Sequence, residues 1–190
     1  MRIDDAQREM RRAYRHGFAG QLVSGALWLI AAALATWGTP RAAILTLCVG
    51  GIAIFPATRL VLLLLGSRQV VSRENPLGQL AMQIAFTVPL AIPVILAATV
   101  AEMGWFFPAF MVIVGAHYLP FVFLYGMREF GVLGAALVVA GVALGMNRPE
   151  AFGTGAWITG ALLIGFAIVA LLRDRRVGAA EAHARAPAVH

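Results

Sequence analysis

Six long apolar runs, separated by short breaks, decide what this chain can fold into. A hydrocarbon core of roughly 30 Å takes about 20 apolar residues of helix to cross. The runs at 17–37, 42–65, 79–101 and 104–125 have that length, and those at 131–146 and 156–172 fall slightly short of it. In lipid an open strand leaves its backbone groups unpaired, so the runs read as helices. Turn-forming residues mark the breaks: Gly38-Thr39-Pro40, Gly66-Ser67, Met103-Gly104 and Arg148-Pro149-Glu150. The expected fold class is all-α: a polytopic membrane protein with six transmembrane helices in one bundle. Composition agrees, with 61% hydrophobic and 13% charged residues, against about 45–50% and 25% in soluble domains. A globule of 20.2 kDa with a mean hydropathy of +0.82 has nowhere to hide that surface.

Charge sets the orientation. All fifteen basic residues are Arg, and there is no Lys. Twelve fall on one side: Arg2, Arg8, Arg11, Arg12 and Arg15 before the first span, others in the 66–78 and 126–130 loops, and four after the sixth span. Arg41 and Arg148 fall on the other side, and Arg59 lies within the second span. Basic residues accumulate on the cytoplasmic side, so both termini are expected there. Trp37, Trp105 and Trp157 sit at the opposite ends of the spans, where indole rings favour the interface. The net charge of +6 suggests nucleic acid at first sight. The arginines flank apolar runs instead of forming one patch, which makes the lipid bilayer the expected partner and excludes nucleic acid. Ala33-Leu34-Ala35 resembles a signal cleavage site, but the charged arm before it, with Asp4, Asp5 and Glu9, argues against one.

The chain divides into an arm at 1–16, the six-span domain at 17–172 and a tail at 173–190. In the arm, Ile3, Ala6, Met10, Ala13, Tyr14 and Phe18 recur mostly at spacings of three and four. That pattern fits an amphipathic helix lying along the inner membrane surface, or a charged lead-in that only fixes topology. The tail has no large apolar residue between Val177 and Val189 and is expected to be disordered.

Polar residues inside the spans are the candidate site. Arg59 lies about 10 Å and His117 about 13 Å inside the arm-side boundary, at 1.5 Å per residue. Gln79, Gln83 and Thr87 follow one helical stripe of the third span. With Gln21, Ser24, Thr58, Tyr118 and Tyr125, they outline a polar layer built by the first four helices, whose key members are Arg59, Gln83, Thr87, His117 and Tyr118. Two readings stand beside each other. Arg59 snorkels and a neutral His117 ties helices together, or the layer carries a solute or ion. The layer reading requires Gln83 and His117 to face the interior. Pro56, Pro89, Pro93 and Pro120 each remove a backbone donor within a span, with a kink expected in the third. Gly134, Gly141 and Gly145 share a face of the fifth span, for close approach to a neighbour or, through Gly141 and Gly145, for a homo-oligomer.

No GxxxxGK[ST], HExxH, CxxC or suitably placed GxGxxG is present, nor a close pair of membrane carboxylates, so no enzymatic function, catalytic residue or cofactor is expected. Cys48 alone cannot form an internal disulfide, and with four scattered His it makes no zinc site.

The central third carries motifs. Asn75-Pro76-Leu77-Gly78 opens one helix and Trp105-Phe106-Phe107-Pro108-Ala109 the next, followed by Gly115-Ala116-His117-Tyr118-Leu119 and Leu124-Tyr125-Gly126-Met127-Arg128. Together with Asp5 through Arg12, Gly25-Ala26-Leu27-Trp28 and Pro40-Arg41-Ala42-Ala43, they resemble an uncharacterised bacterial family of small six-span membrane proteins, a domain of unknown function. The resemblance covers most of residues 3–145. It implies six helices in a bacterial inner membrane and no known activity. In the family pattern a basic residue, often Arg, precedes the matching Tyr, so His117 is a variant and the property shared there is a cation or hydrogen-bond donor. The expected role is structural, or one of interaction within the membrane. The alternative is a small solute or ion transporter built on the layer around Arg59 and His117.

Overall fold

The computed structural model describes residues 1–147 and 152–185. The expected turn at Arg148-Pro149-Glu150 lies outside the described residues. Within them, the regular structure is helical. Helix α1 (Ile3–Ala13) is the arm; α2 (Phe18–Trp37), α3 (Pro40–Leu64) and the pair α4 (Pro76–Ala85) and α5 (Thr87–Ala101) form the first three spans. The pair α6 (Phe106–Tyr118) and α7 (Phe121–Tyr125), then α8 (Glu129–Asn147) and α9 (Thr154–Arg185), complete the bundle. Among the described residues six stretches are long and apolar enough to cross a membrane: 15–37, 40–64, 76–101, 103–125, 129–147 and 154–177. The fifth and sixth are longer than their apolar runs, because the helices continue through polar ends that hydropathy leaves out.

Local chemistry explains where helices start and break. Thr39 caps α3 by accepting from the Ala42 N–H at 3.2 Å, with Pro40 at the first helical position. Asn75 and Pro76 repeat the device for α4, the Asn75 Oδ1 accepting from the Leu77 N–H at 3.0 Å. The third span breaks at Phe86, whose N–H bonds back to Gln83 at 3.2 Å, one turn before Pro89. The fourth breaks at Leu119 and Pro120. Pro56, by contrast, sits inside an uninterrupted α3.

Packing follows a clear order. Helix α3 seats on α2, α2 on α9, α9 on α8 and α6, and α5 on α6, while the second and third spans scarcely touch each other. Between α6 and α8 the backbones meet through glycine: a Cβ on Gly115 would lie 2.7 Å from the Gly134 carbonyl, and one on Gly134 2.7 Å from that of Gly115. Gly141 faces the Pro108 carbonyl and Gly145 the Trp105 ring. This glycine face is spent within the chain, which corrects the expectation that Gly141 and Gly145 could join two copies. Trp28 closes the junction from α2, edge-on to Phe110 at 5.2 Å and tilted on Phe107 at 6.1 Å.

The arm and the tail are both helical where described. The arm forms the expected helix and seats its apolar side on protein: Ala6, Met10 and Ala13 are buried, and α1 packs on α4 and α7. Its apolar stripe is satisfied by protein. The tail, expected to be disordered from 173, continues α9 as helix through Arg185. Its alanine content, at the top of the helix-propensity ranking, favours that continuation where no apolar pattern announces it.

Candidate functional site

The polar residues divide among three places. The first is the seam between the third and fourth spans. Thr87 Oγ1 donates to the Ile84 carbonyl at 2.7 Å and lies 2.9 Å from His117 Nδ1. The bond joins α5 to α6 at the level where α4 gives way to α5. Tyr118, next along α6, turns inward and is buried. It stacks on Phe130 at 6.1 Å, and its hydroxyl is hydrogen-bonded with the Ser24 side chain of α2. Phe130 also stacks with Tyr125, at 5.1 Å.

Two of the five expected members stand apart. Gln83 is exposed and has no hydrogen-bond partner among the described residues. Arg59 is half-buried on α3 and makes no ion pair among them. The structure thus brings Thr87, His117 and Tyr118 together and leaves Arg59 and Gln83 outside. The single layer around all five is not assembled, because α3 packs on α2 rather than on the third span, and because Gln83 turns outward.

The second place is the arm's seat. Glu9 accepts from the Ser72 N–H at 2.7 Å, the Ser72 hydroxyl at 3.2 Å and the Asn75 amide at 2.8 Å. The same Asn75 amide donates to the Ala6 carbonyl at 3.1 Å. Asn75 therefore caps α4 with its oxygen and holds α1 with its nitrogen. Across the seat, Gln7 donates to the Phe123 carbonyl at 2.6 Å and Arg11 to that of Tyr125, filling acceptors at the end of α7. The Ser72 N–H, partly opposed by burial and helped by the Asn75 and Ser72 side chains, holds the Glu9 carboxyl below its ordinary value of 4.5. Burial, then the Arg8 and Arg173 charges, lowers the Arg11 guanidinium from its own ordinary value.

The third place is the corner between α1 and α2. Arg15, His16 and Gly17 have φ of 47°, 58° and 82°, three left-handed residues in succession of which only the last is glycine. Side-chain-bearing residues rarely adopt that region, at a cost of roughly 1–2 kcal/mol each. Asp174 of α9 offsets it, accepting from Arg15 Nε at 2.9 Å and lying 3.1 Å from His16 Nδ1, while the guanidinium stacks over Phe18 at 5.4 Å. Beside the corner, the Arg173–Glu129 ion pair borders a narrow slot of about 10 Å³ whose wall includes Phe130, Phe166 and Gln21. Gln21 is buried, and its Oε1 has no hydrogen-bond partner among the described residues.

Glu9, Asp174 and Glu129 were not singled out by sequence reasoning as site residues. Asn75-Pro76 was recognised as a helix start, and an Asn there signals capping; its second bond, to the arm, has no signature in the local sequence. Among the described residues no three His, Cys, Asp or Glu side chains converge as metal ligands would.

Comparison with known proteins adds one finding. A family model described as a family of unknown function, DUF7010, matches residues 3–173. Comparison with curated proteins and with solved structures gives no match.

Proposed function

The chain belongs to this family of unknown function, and from that premise we propose that it is a bacterial inner-membrane protein, both termini cytoplasmic, that acts by association within the membrane and not as an enzyme. The observation that carries this reading is the uneven cover of the spans. Of the most apolar stretch of each, 17% is buried in the second span and 11% in the third, against 33–44% in the other four. Those two helices each seat on one principal neighbour and present the rest of their surface to the membrane, as expected of elements that meet other helices. The arginine distribution supports the orientation.

The alternative, a solute or ion path, is favoured by one observation: broken helices α4/α5 and α6/α7 meet at the Thr87–His117 bond, and broken helices line the sites of many transporters. The separation of Arg59 from that pair weighs against it.

Two measurements divide the readings. A photo-crosslinking residue at Val94 on α5, and another at Ile52 on α3, is expected to give at least one discrete protein adduct in native membranes. Lipid adducts alone at both sites would sink the association reading. His117→Cys in a Cys48→Ala background is expected to resist a membrane-impermeant thiol reagent on inside-out vesicles. Rapid labelling of folded, inserted protein would favour the transport alternative.

A further inference from the structure

Gln21 is a buried amide for which the bundle supplies no partner among the described residues. It lies four residues beyond Gly17 on α2, about 6 Å along the helix from its arm-side end, and is 4% exposed. A primary amide carries two donors and an acceptor, yet this one makes no hydrogen bond among the described residues, and its Oε1 is closed off completely. An amide buried in that way keeps the full cost of its lost hydration. The slot beside the corner is the one place next to it where that cost can be met. Gln21 lines this slot with His16, Glu129 and Arg173, and with the apolar Phe166 and Ala170 of α9. Its volume of about 10 Å³ matches the roughly 10–15 Å³ that admits one water and nothing larger. A cavity that stays dry is apolar, whereas a buried water takes two to four polar partners. Four polar side chains stand in this wall. His16 commits Nδ1 to Asp174 at 3.1 Å, which leaves Nε2 as its remaining polar atom. The ion-paired Arg173 and Glu129 side chains are 48% and 34% exposed, so the slot borders the aqueous end of the bundle.

We propose that the slot is a binding site for one water molecule, hydrogen-bonded to the Gln21 amide and, across the slot, to His16, Glu129 or Arg173. The size of the slot excludes a larger solute. The Arg173 guanidinium in its wall opposes a cation, and a neutral ligand that both donates and accepts suits the amide in either orientation. The water joins the first span to groups at the corner and at the ends of α8 and α9, a link that α2 does not make through its own amide. This inference goes beyond the association reading and does not depend on it.

The test is a water–amide Overhauser measurement by NMR on the full-length protein in lipid nanodiscs, with isotope-labelled glutamine. The Gln21 amide is assigned by its loss in Gln21→Met, or by elimination through single substitutions at Gln7, Gln69, Gln79 and Gln83. It is expected to show a cross-peak to water whose sign differs between the laboratory and rotating frames, the mark of a held water as opposed to proton exchange. Ala170→Val narrows the slot and is expected to weaken that cross-peak by at least half, with helical circular dichroism unchanged. An assigned Gln21 amide without a water cross-peak overturns the proposal, as does a cross-peak of the same sign in both frames. A folded Ala170→Val protein that keeps more than half of the cross-peak also overturns it, since the water then lies outside the slot. Should Ala170→Val fail to fold, the unsubstituted protein decides by the presence and sign of its cross-peak.

Discussion

Single side chains at the arm end do work that their sequence neighbours do not reveal. Glu9 has its carboxyl held below the ordinary value by donors that exist only when the arm is seated. The ionised form therefore favours the seated arm. That contribution is complete above the ordinary value of 4.5 and is lost as pH falls through the lowered value of the folded state. The protection of amides in residues 3–13, after allowance for the intrinsic pH dependence of exchange, is accordingly expected to fall as pH drops below 4.5, and Glu9→Gln to remove most of that pH dependence. At the corner, Asp174→Ala leaves two left-handed residues and a guanidinium without their acceptor. Loss of charged hydrogen bonds of this kind costs about 1.5–3 kcal/mol, and denaturant unfolding in detergent is the measurement. Neither residue was legible beforehand, because each draws its meaning from partners 63 to 159 positions away.

At the scale of elements, the six spans were open to reading because hydropathy and chain punctuation are local, and Thr39-Pro40 and Asn75-Pro76 start helices by chemistry contained in two or three residues. Which face a span buries was less open. The glycines of α8 announce a close approach but not with whom; the structure answers with α6. Gly115→Leu is expected to drive these helices apart at a cost of about 1–3 kcal/mol, the usual range for overpacking. Gly51→Ala on α3, where an added Cβ meets nothing within 4 Å, is expected to be neutral or to stabilise by about 0.5–1 kcal/mol. Thermal unfolding of the two variants side by side checks the contrast. Helix α9 shows the limit of hydropathy from the other direction, since its helix outlasts its apolar run.

As a whole, the molecule is two groups of helices, α3–α2–α9 and α5–α6–α8, joined where α9 meets α8 and α6 and where Trp28 enters the aromatic cluster of α6. The sequence marks Trp28 as an aromatic in an apolar run and as part of a family motif, and its position between the groups emerges with the tertiary packing. Trp28→Ala opens a cavity at that junction and is expected to cost about 3–5 kcal/mol, more than truncation of the exposed Trp37, by thermal unfolding in detergent. The separation of Arg59 from the Thr87–His117 bond belongs to this scale too: a polar layer inferred from depth along each helix needs neighbours around the bundle, and depth says nothing of neighbours.

The corner pinned by Asp174 joins residues that leave the ribosome far apart in time. At roughly 5–20 residues per second, Arg15 emerges on the order of ten seconds before the residue 159 positions later that holds it. Until the sixth span is inserted, the corner at 15–17 lacks its acceptor and its backbone is free to leave the left-handed region, while the arm itself already has its seat on α4 and α7. Closing the corner thus reports on insertion of the sixth span: the joint between arm and first span is fastened only once Asp174 is in place. A nascent chain stalled before α9 would present an unfastened, protease-sensitive corner at residues 15–17 to the quality-control machinery, and one with α9 in place would not.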